Sequence, residues 1–257
     1  MNDPIVVIGT GEMSGVFTRG FLKLGYPVFP VNRHTDMEKM ARALTAPALV
    51  LVAVGEADLH PVLDKIPSAW EDCIALLQNE LLPRDWEAHD LQEPTVIAVW
   101  FEKKKGQDYK VLIPSPTYGV GAPILEKALA TLDIPTWEVG SHADIEYELV
   151  RKNVYILTTN ITGLELPPGT DVEVMWSEHQ AHAREIADEV MDIQFLLIGK
   201  ELDREKLTAG MVEGIEGDLR HKCMGRSAPA RLKRNLGFAD EAGLTVPRLR
   251  AIAARLD

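Results

Sequence analysis

Ile5-Val6-Val7-Ile8-Gly9-Thr10-Gly11-Glu12-Met13-Ser14-Gly15 decides the fold class of this 257-residue chain. A short β-branched run passes straight into a glycine-rich turn, and Phe17, Phe21 and Leu22 then follow at helical spacing. Strand, glycine turn and helix in that order form the setting in which such a turn binds a dinucleotide. Gly9 permits the tight turn, Gly11 lets the backbone approach a pyrophosphate, and the helix start offers amide donors and the positive end of its dipole. Ser14 stands where a third glycine is usual and is small enough for close helix packing. Gly9, Thr10, Gly11, Glu12, Met13 and Ser14 are therefore candidate cofactor-binding residues, with a ligand-free strand-to-helix turn as the plain alternative.

The second strand ends at Asn32 and Arg33, where an acidic residue usually accepts hydrogen bonds from the adenosine ribose. A carboxylate there repels a 2'-phosphate, whereas a guanidinium grips it with paired, charge-assisted hydrogen bonds. Asn32 and Arg33 thus join the cofactor-binding set and favour NADP (NADPH) over NAD. His34 and Thr35 can add contacts to the same phosphate, and Asp36 is the nearby residue that argues for NAD. The bland reading of Arg33 is a solvated surface charge.

Beyond the turn, near-continuous apolar runs at Val28–Val31, Ala48–Val54, Ile74–Leu77 and Val96–Phe101 alternate with helical stretches, which implies a parallel sheet covered on both faces. Val54, closing the third run, is counted with the cofactor-binding residues. Tyr109–Ile113, after the turn Lys103-Lys104-Lys105-Gly106, reads as one more strand added antiparallel by a hairpin, and the sheet finishes near Val139. Helical periodicity then takes over at Ile145–Thr159, Ser177–Leu197 and Ser227–Ala242, with Gly243 and Val246-Pro247 as a helix stop. The expected fold class is α/β: a Rossmann-like doubly wound sheet over residues 1–142, then an all-helical half over residues 143–257, hinged near Gly140 to Ala143.

Composition narrows the function. Hydrophobic residues make up 46% and charged residues 26%, enough apolar surface for a real core. A formal charge of -12 repels a phosphate backbone and argues against a nucleic-acid partner. No apolar run has the length of a membrane span, and the N-terminus carries no basic, apolar leader, so a cytoplasmic location is expected. Cys73 and Cys223 lack ligand spacing and read as plain thiols.

Three stretches together resemble the ketopantoate reductase family: Leu77-Gln78-Asn79-Glu80, the segment from Ile124-Leu125-Glu126 through Glu148-Leu149-Val150-Arg151-Lys152-Asn153, and Phe238 to Pro247. The resemblance covers most of the chain. It implies a helical half like the 6-phosphogluconate dehydrogenase C-terminal domain, with the substrate between the halves. It also implies Lys152 as general acid toward a substrate carbonyl, and Asn79 against the nicotinamide end and the substrate. The chemistry of the lysine is intelligible, because hydride delivery to a carbonyl carbon builds negative charge on oxygen that an ammonium stabilises and protonates. Their bland readings are a solvent-facing helix lysine and a turn asparagine.

The chain departs from that pattern at several positions. Ile156 stands four residues beyond Lys152, where the family carries Asn, and an apolar side chain cannot orient a substrate hydroxyl. Thr159 returns to nearly the same helix face, with Asn160 and Asn153 further round. Ser227 is the nearest equivalent of a late family glutamate and has an ordinary alternative as a helix cap, while Gly55-Glu56 replaces a family lysine. Asn79, Thr159, Asn160 and Ser227 form the expected substrate-binding set. Two groups of residues lie outside it. Among the histidines, His179 and His182 lack a third metal ligand, and no metal site is expected. The basic segment containing Arg220, Lys222, Arg226, Arg231, Lys233 and Arg234 reads equally as an anion-facing surface or a solvated helix face.

The expectation is an NADPH-dependent reductase of a small 2-oxo acid or related carbonyl compound. The alternatives are a non-catalytic NADP(H)-binding module that responds to redox state, and an imine or 3-hydroxy acid dehydrogenase. Homodimerisation through the helical half stays open.

Overall fold

The computed structural model describes residues 2–256. The chain divides between Leu149 and Val150 into two compact units. The first opens with β1 (Ile5–Ile8), α1 (Glu12–Lys23), β2 (Val28–Val31), α2 (Met37–Ala43) and β3 (Leu49–Val52), followed by α3 (Leu59–Leu63), β4 (Ile74–Leu76), α4 (Pro83–Glu87) and β5 (Thr95–Ile97). These five strands are parallel and lie in the order β2-β1-β3-β4-β5. Every residue of β1 and β3 is buried, as expected for central strands covered on both faces. Edge strand β2 is more open and holds Pro30, whose missing N–H is tolerated where one side of the strand has no partner.

Next come β6 (Phe101–Lys103), β7 (Tyr109–Val111), β8 (Ser115–Tyr118), α5 (Ala122–Ala130) and β9 (Thr136–Glu138). β8 pairs antiparallel with β5, and β9 pairs parallel with β8, completing a seven-stranded sheet. Here two sequence expectations need correction. The run Val96–Phe101 is not one strand: Ala98 N still donates to Pro116 O, but the proline has no N–H to return, and Trp100 N bonds the Ser115 hydroxyl instead. Tyr109–Ile113 does not extend the main sheet, because among the described residues β7 pairs only with β6, in a separate antiparallel hairpin.

Ile5, Val7, Leu49 and Leu51 pack on Phe17 and Phe21 of α1 and on Leu125 and Leu129 of α5. α1 and α5 approach closely enough that a Cβ at Gly20 would lie 2.5 Å from the Ala128 carbonyl oxygen. Phe101 of the hairpin packs against Phe17, with ring centroids 5.9 Å apart.

α6 (His142–Gly163) runs from the first unit into the second, which continues with α7 (Val172–Glu178), α8 (Gln180–Ile198), α9 (Arg204–Gly217), α10 (Ala228–Ala242) and α11 (Pro247–Ala253). α6 outruns the expected Ile145–Thr159 at both ends. The expected helix Ser177–Leu197 is broken at His179, which leaves helical geometry while its N–H still bonds Met175 O. Pro247, read as part of a stop, instead opens α11 from the first helical position, where a missing N–H costs nothing. α9 has no counterpart among the helices expected from the sequence, because Gly210, Gly214 and Gly217 hide its periodicity. Gly210 has a packing reason, since a Cβ there would sit 2.5 Å from Arg151 Nε. Among the described residues no helix is long and apolar enough to cross a membrane.

Candidate functional site

The strand order reverses direction at β1: β2 lies on one side of it and β3 on the other. Ligands of open α/β sheets bind at the carboxyl edge beside such a switch point. Gly9 leaves β1 there with φ +104°, its N–H donating to Val31 O at 2.8 Å. A Cβ at Gly9 would lie 2.4 Å from Ala53 O just beyond β3, so the turn threads between two strand ends. Gly11 caps α1 with ordinary φ of -82° and offers no side chain to the first helical amides. A Cβ on Gly11 meets nothing within 4 Å, which leaves the backbone open to a large anion. The Ser14 hydroxyl donates to Gly11 O at 2.6 Å and fastens the first turn, while Met13 packs partly against the core. Thr10, Gly11 and Glu12 are exposed. This cradle of open amides fits the diphosphate of a dinucleotide.

Directly after β2, Asn32 builds a turn around Arg33. Its Oδ1 accepts from His34 N at 2.8 Å, and its own N–H donates to the Thr35 hydroxyl at 3.1 Å. Arg33 stands exposed in that turn. Asp36 is occupied as the N-cap of α2, accepting from Lys39 N at 2.9 Å. At the next strand ends, the Gln78 amide donates to Val52 O at 2.7 Å and to Val54 O at 3.3 Å, joining the end of β4 to that of β3. Half-buried Asn79 follows directly, and Glu80 turns the chain with φ of 62°. Gly9 to Ser14, Asn32, Arg33, Val54 and Asn79 thus gather at the carboxyl edge of four neighbouring strands.

The sequence did not single out the hairpin residue Lys103, whose ammonium lies 3.3 Å from Glu12 Oε2. Its only sequence signal was the run of three lysines, which reads first as a turn.

The other expected residues lie in the helical unit. Lys152 is 4% exposed on α6. The Thr159 hydroxyl is turned back on its own helix, donating to Tyr155 O at 2.8 Å. Asn160 donates to Cys223 O at 3.0 Å and accepts from buried Arg231 at 2.8 Å, so both ends of its amide are engaged. Ser227 is exposed at the start of α10 without a side-chain capping bond. Ile156 is half-buried while the flanking α6 residues are buried.

Within the basic segment, Arg220 pairs with Asp171 and Glu173, Lys222 lies 3.9 Å from Asp171, and buried Arg231 holds Asn160. Burial, followed by the Asp171 charge, pushes the Cys223 thiol up to about 11, which removes it as a nucleophile near neutral pH. Among the described residues no group of three or more His, Cys, Asp or Glu side chains is arranged to hold a metal ion.

No family model and no curated protein matches the chain. Solved structures share its fold. A PanE/ApbA family ketopantoate reductase from Ralstonia eutropha JMP134 matches with a TM-score of 0.68 at 16% identity, over 97% of this chain and 96% of that one. A 2-dehydropantoate 2-reductase from Methylococcus capsulatus gives 0.66 at 15% identity, over 98% and 95%. D-mandelate dehydrogenase in complex with NADH gives 0.63 at 13% identity, over 98% and 96%. At such identities the likeness is one of fold.

Proposed function

We propose that this chain, which shares the fold of ketopantoate reductases and D-mandelate dehydrogenase, is an NADPH-dependent reductase of a small 2-oxo acid or related carbonyl compound. The observation that carries the cofactor choice is the pairing of an exposed Arg33 with an Asp36 already engaged as a helix cap. The residue that argued for NAD has one carboxylate oxygen tied to the backbone as a helix cap, and the guanidinium is presented two residues past β2, where a 2'-phosphate is read.

The backbone of Gly9 to Ser14 holds the diphosphate, Arg33 holds the 2'-phosphate, and Val54 and Asn79 line the path toward the nicotinamide. Bound NADPH supplies the hydride. Lys152 stabilises the negative charge that grows on the substrate oxygen and donates the proton to it. With Ile156 one turn beyond Lys152, and with the polar atoms of Thr159 and Asn160 taken inside the helical unit, the reading favours a substrate side chain without hydroxyl groups.

Fluorescence titration with NADPH and NADH, followed by turnover on a panel of 2-oxo acids, tests this. Arg33→Ala weakens NADPH by roughly tenfold or more and leaves NADH unchanged, on the scale of a lost charge-assisted hydrogen bond. Lys152→Ala slows turnover by roughly a hundredfold, about 3 kcal/mol. A Lys152→Ala enzyme as fast as wild type removes the proposed acid. The engaged Thr159 and Asn160 also favour a second reading, a non-catalytic NADP(H) binder. Tight NADPH binding with no turnover on any carbonyl or imine compound decides for it.

A further inference from the structure

Lys103 is a firmly anchored cation of the β6–β7 hairpin. Its Nζ donates to the carbonyl oxygens of Lys104, at 3.0 Å, and of Gln107, both in the turn of its own hairpin. The same atom lies 3.3 Å from Glu12 Oε2, and the lysine side chain is only 20% exposed. The hairpin beneath it is fixed as well, by Phe101 against Phe17 and by the Tyr109 hydroxyl donating to Leu132 O. Between hairpin and glycine turn lies a recess of about 310 Å³, bordered by Gly11, Glu12 and Arg19 on one side and by Lys103 and Asp108 on the other.

An ammonium held by two backbone carbonyls keeps its position when its third partner changes. That third partner is the carboxylate of Glu12, the first residue of α1. A carboxylate suits the positive end of the helix dipole, yet it stands where the fingerprint turn receives a diphosphate, and like charges there repel. We propose that Lys103 is a binding residue for the dinucleotide's pyrophosphate, exchanging Glu12 for the diphosphate on binding, and that Glu12 is a built-in competitor that loosens the cofactor. This rests on the dinucleotide reading of the glycine turn. The pyrophosphate is common to both nicotinamide dinucleotides, so the pair acts on NADPH and NADH alike, whereas Arg33 acts on NADPH alone.

The test is fluorescence titration of the full chain with NADPH and with NADH at two ionic strengths. Lys103→Gln weakens both by about fivefold and flattens the salt dependence, and Lys103→Arg restores most of the loss. Glu12→Gln tightens both by about threefold, and by more when introduced into Lys103→Gln, where the carboxylate is no longer neutralised. The ratio of the two affinities stays at its wild-type value throughout. Unchanged melting temperatures in Glu12→Gln and Lys103→Arg separate these effects from a folding role. If wild type binds a dinucleotide but Glu12→Gln fails to tighten it, or either variant shifts NADPH alone, the exchange is overturned. A wild-type chain that takes up neither dinucleotide overturns the functional reading itself.

Discussion

Replacing Gly11 by alanine separates what a dinucleotide needs at the turn from what the fold needs. Gly11 has φ of -82°, and a Cβ there meets nothing within 4 Å. Alanine at an unstrained glycine position stabilises by about 0.4–1 kcal/mol through the unfolded chain. Against this stands the poorer N-cap preference of alanine, of similar size. Stability of Gly11→Ala should therefore stay within about 0.5 kcal/mol of wild type. Gly9 offers the contrast, because at φ +104° with Ala53 O 2.4 Å from the added Cβ, alanine suffers both backbone strain and overpacking. Those two terms sum to roughly 2–6 kcal/mol. Binding follows a different order. A methyl on Gly11 fills the space through which a phosphate oxygen reaches the first amides of α1, and losing one charge-assisted bond of about 1.5–3 kcal/mol raises Kd by roughly 10- to 150-fold. Urea unfolding followed by circular dichroism reads the first quantity, and NADPH fluorescence titration the second. A Gly11→Ala chain that binds NADPH as tightly as wild type refutes the proposed backbone approach, whatever its stability.

Three further outcomes follow from the packing. Gly20→Ala places its Cβ 2.5 Å from Ala128 O and should destabilise by about 1–3 kcal/mol in urea unfolding, although alanine is the better helix former; a stabilised variant would mean that α1 and α5 do not pack this closely. Buried Glu189 accepts from Arg248 N at 2.8 Å and Leu249 N at 2.9 Å, capping α11 from α8. Glu189→Ala leaves both donors without it and should cost about 2–4 kcal/mol, with Glu189→Gln losing roughly half as much; a loss of under about 0.5 kcal/mol for alanine would remove the cap. The bond from Val174 N, with help from Arg220 and Lys222, holds the Asp171 carboxyl below its ordinary value of 3.8. As pH falls through 3.8 the unfolded chain takes up this proton first, so the stability Asp171 contributes is complete above that value and is lost toward the lower folded value. Acid unfolding of Asp171→Asn should therefore show a shallower loss below pH 4 than wild type, and identical acid limbs would count against the cap.

The five parallel strands, the glycine turn and the change to helices near Gly140 are legible because each is written in local chemistry: apolar runs, glycines after a strand, helical spacing. Where local chemistry is ambiguous, distant contacts decide the element. Val96–Phe101 is uniformly apolar, and nothing near it in sequence announces that Pro116 will interrupt the ladder. In α9 the glycine at position 210 exists to admit the Arg151 side chain, a neighbour far away in sequence, so a propensity reading counts it against the helix that it serves.

The sequence by itself determined that Gly9 to Ser14 open a helix after a strand, that Arg33 follows the second strand, and that a helix carries Lys152. Their signals, an apolar run, a glycine turn and helical spacing, are each written in residues a few positions apart. Tertiary structure alone decided which polar atoms are taken: Asn160 by Cys223 and Arg231, 63 and 71 residues away, and Glu12 by Lys103 on the hairpin. A hydrogen-bonding group reaches only a few ångströms, so its partner is set by which segments the core brings together, and the pattern of residue types along the chain carries no record of that choice.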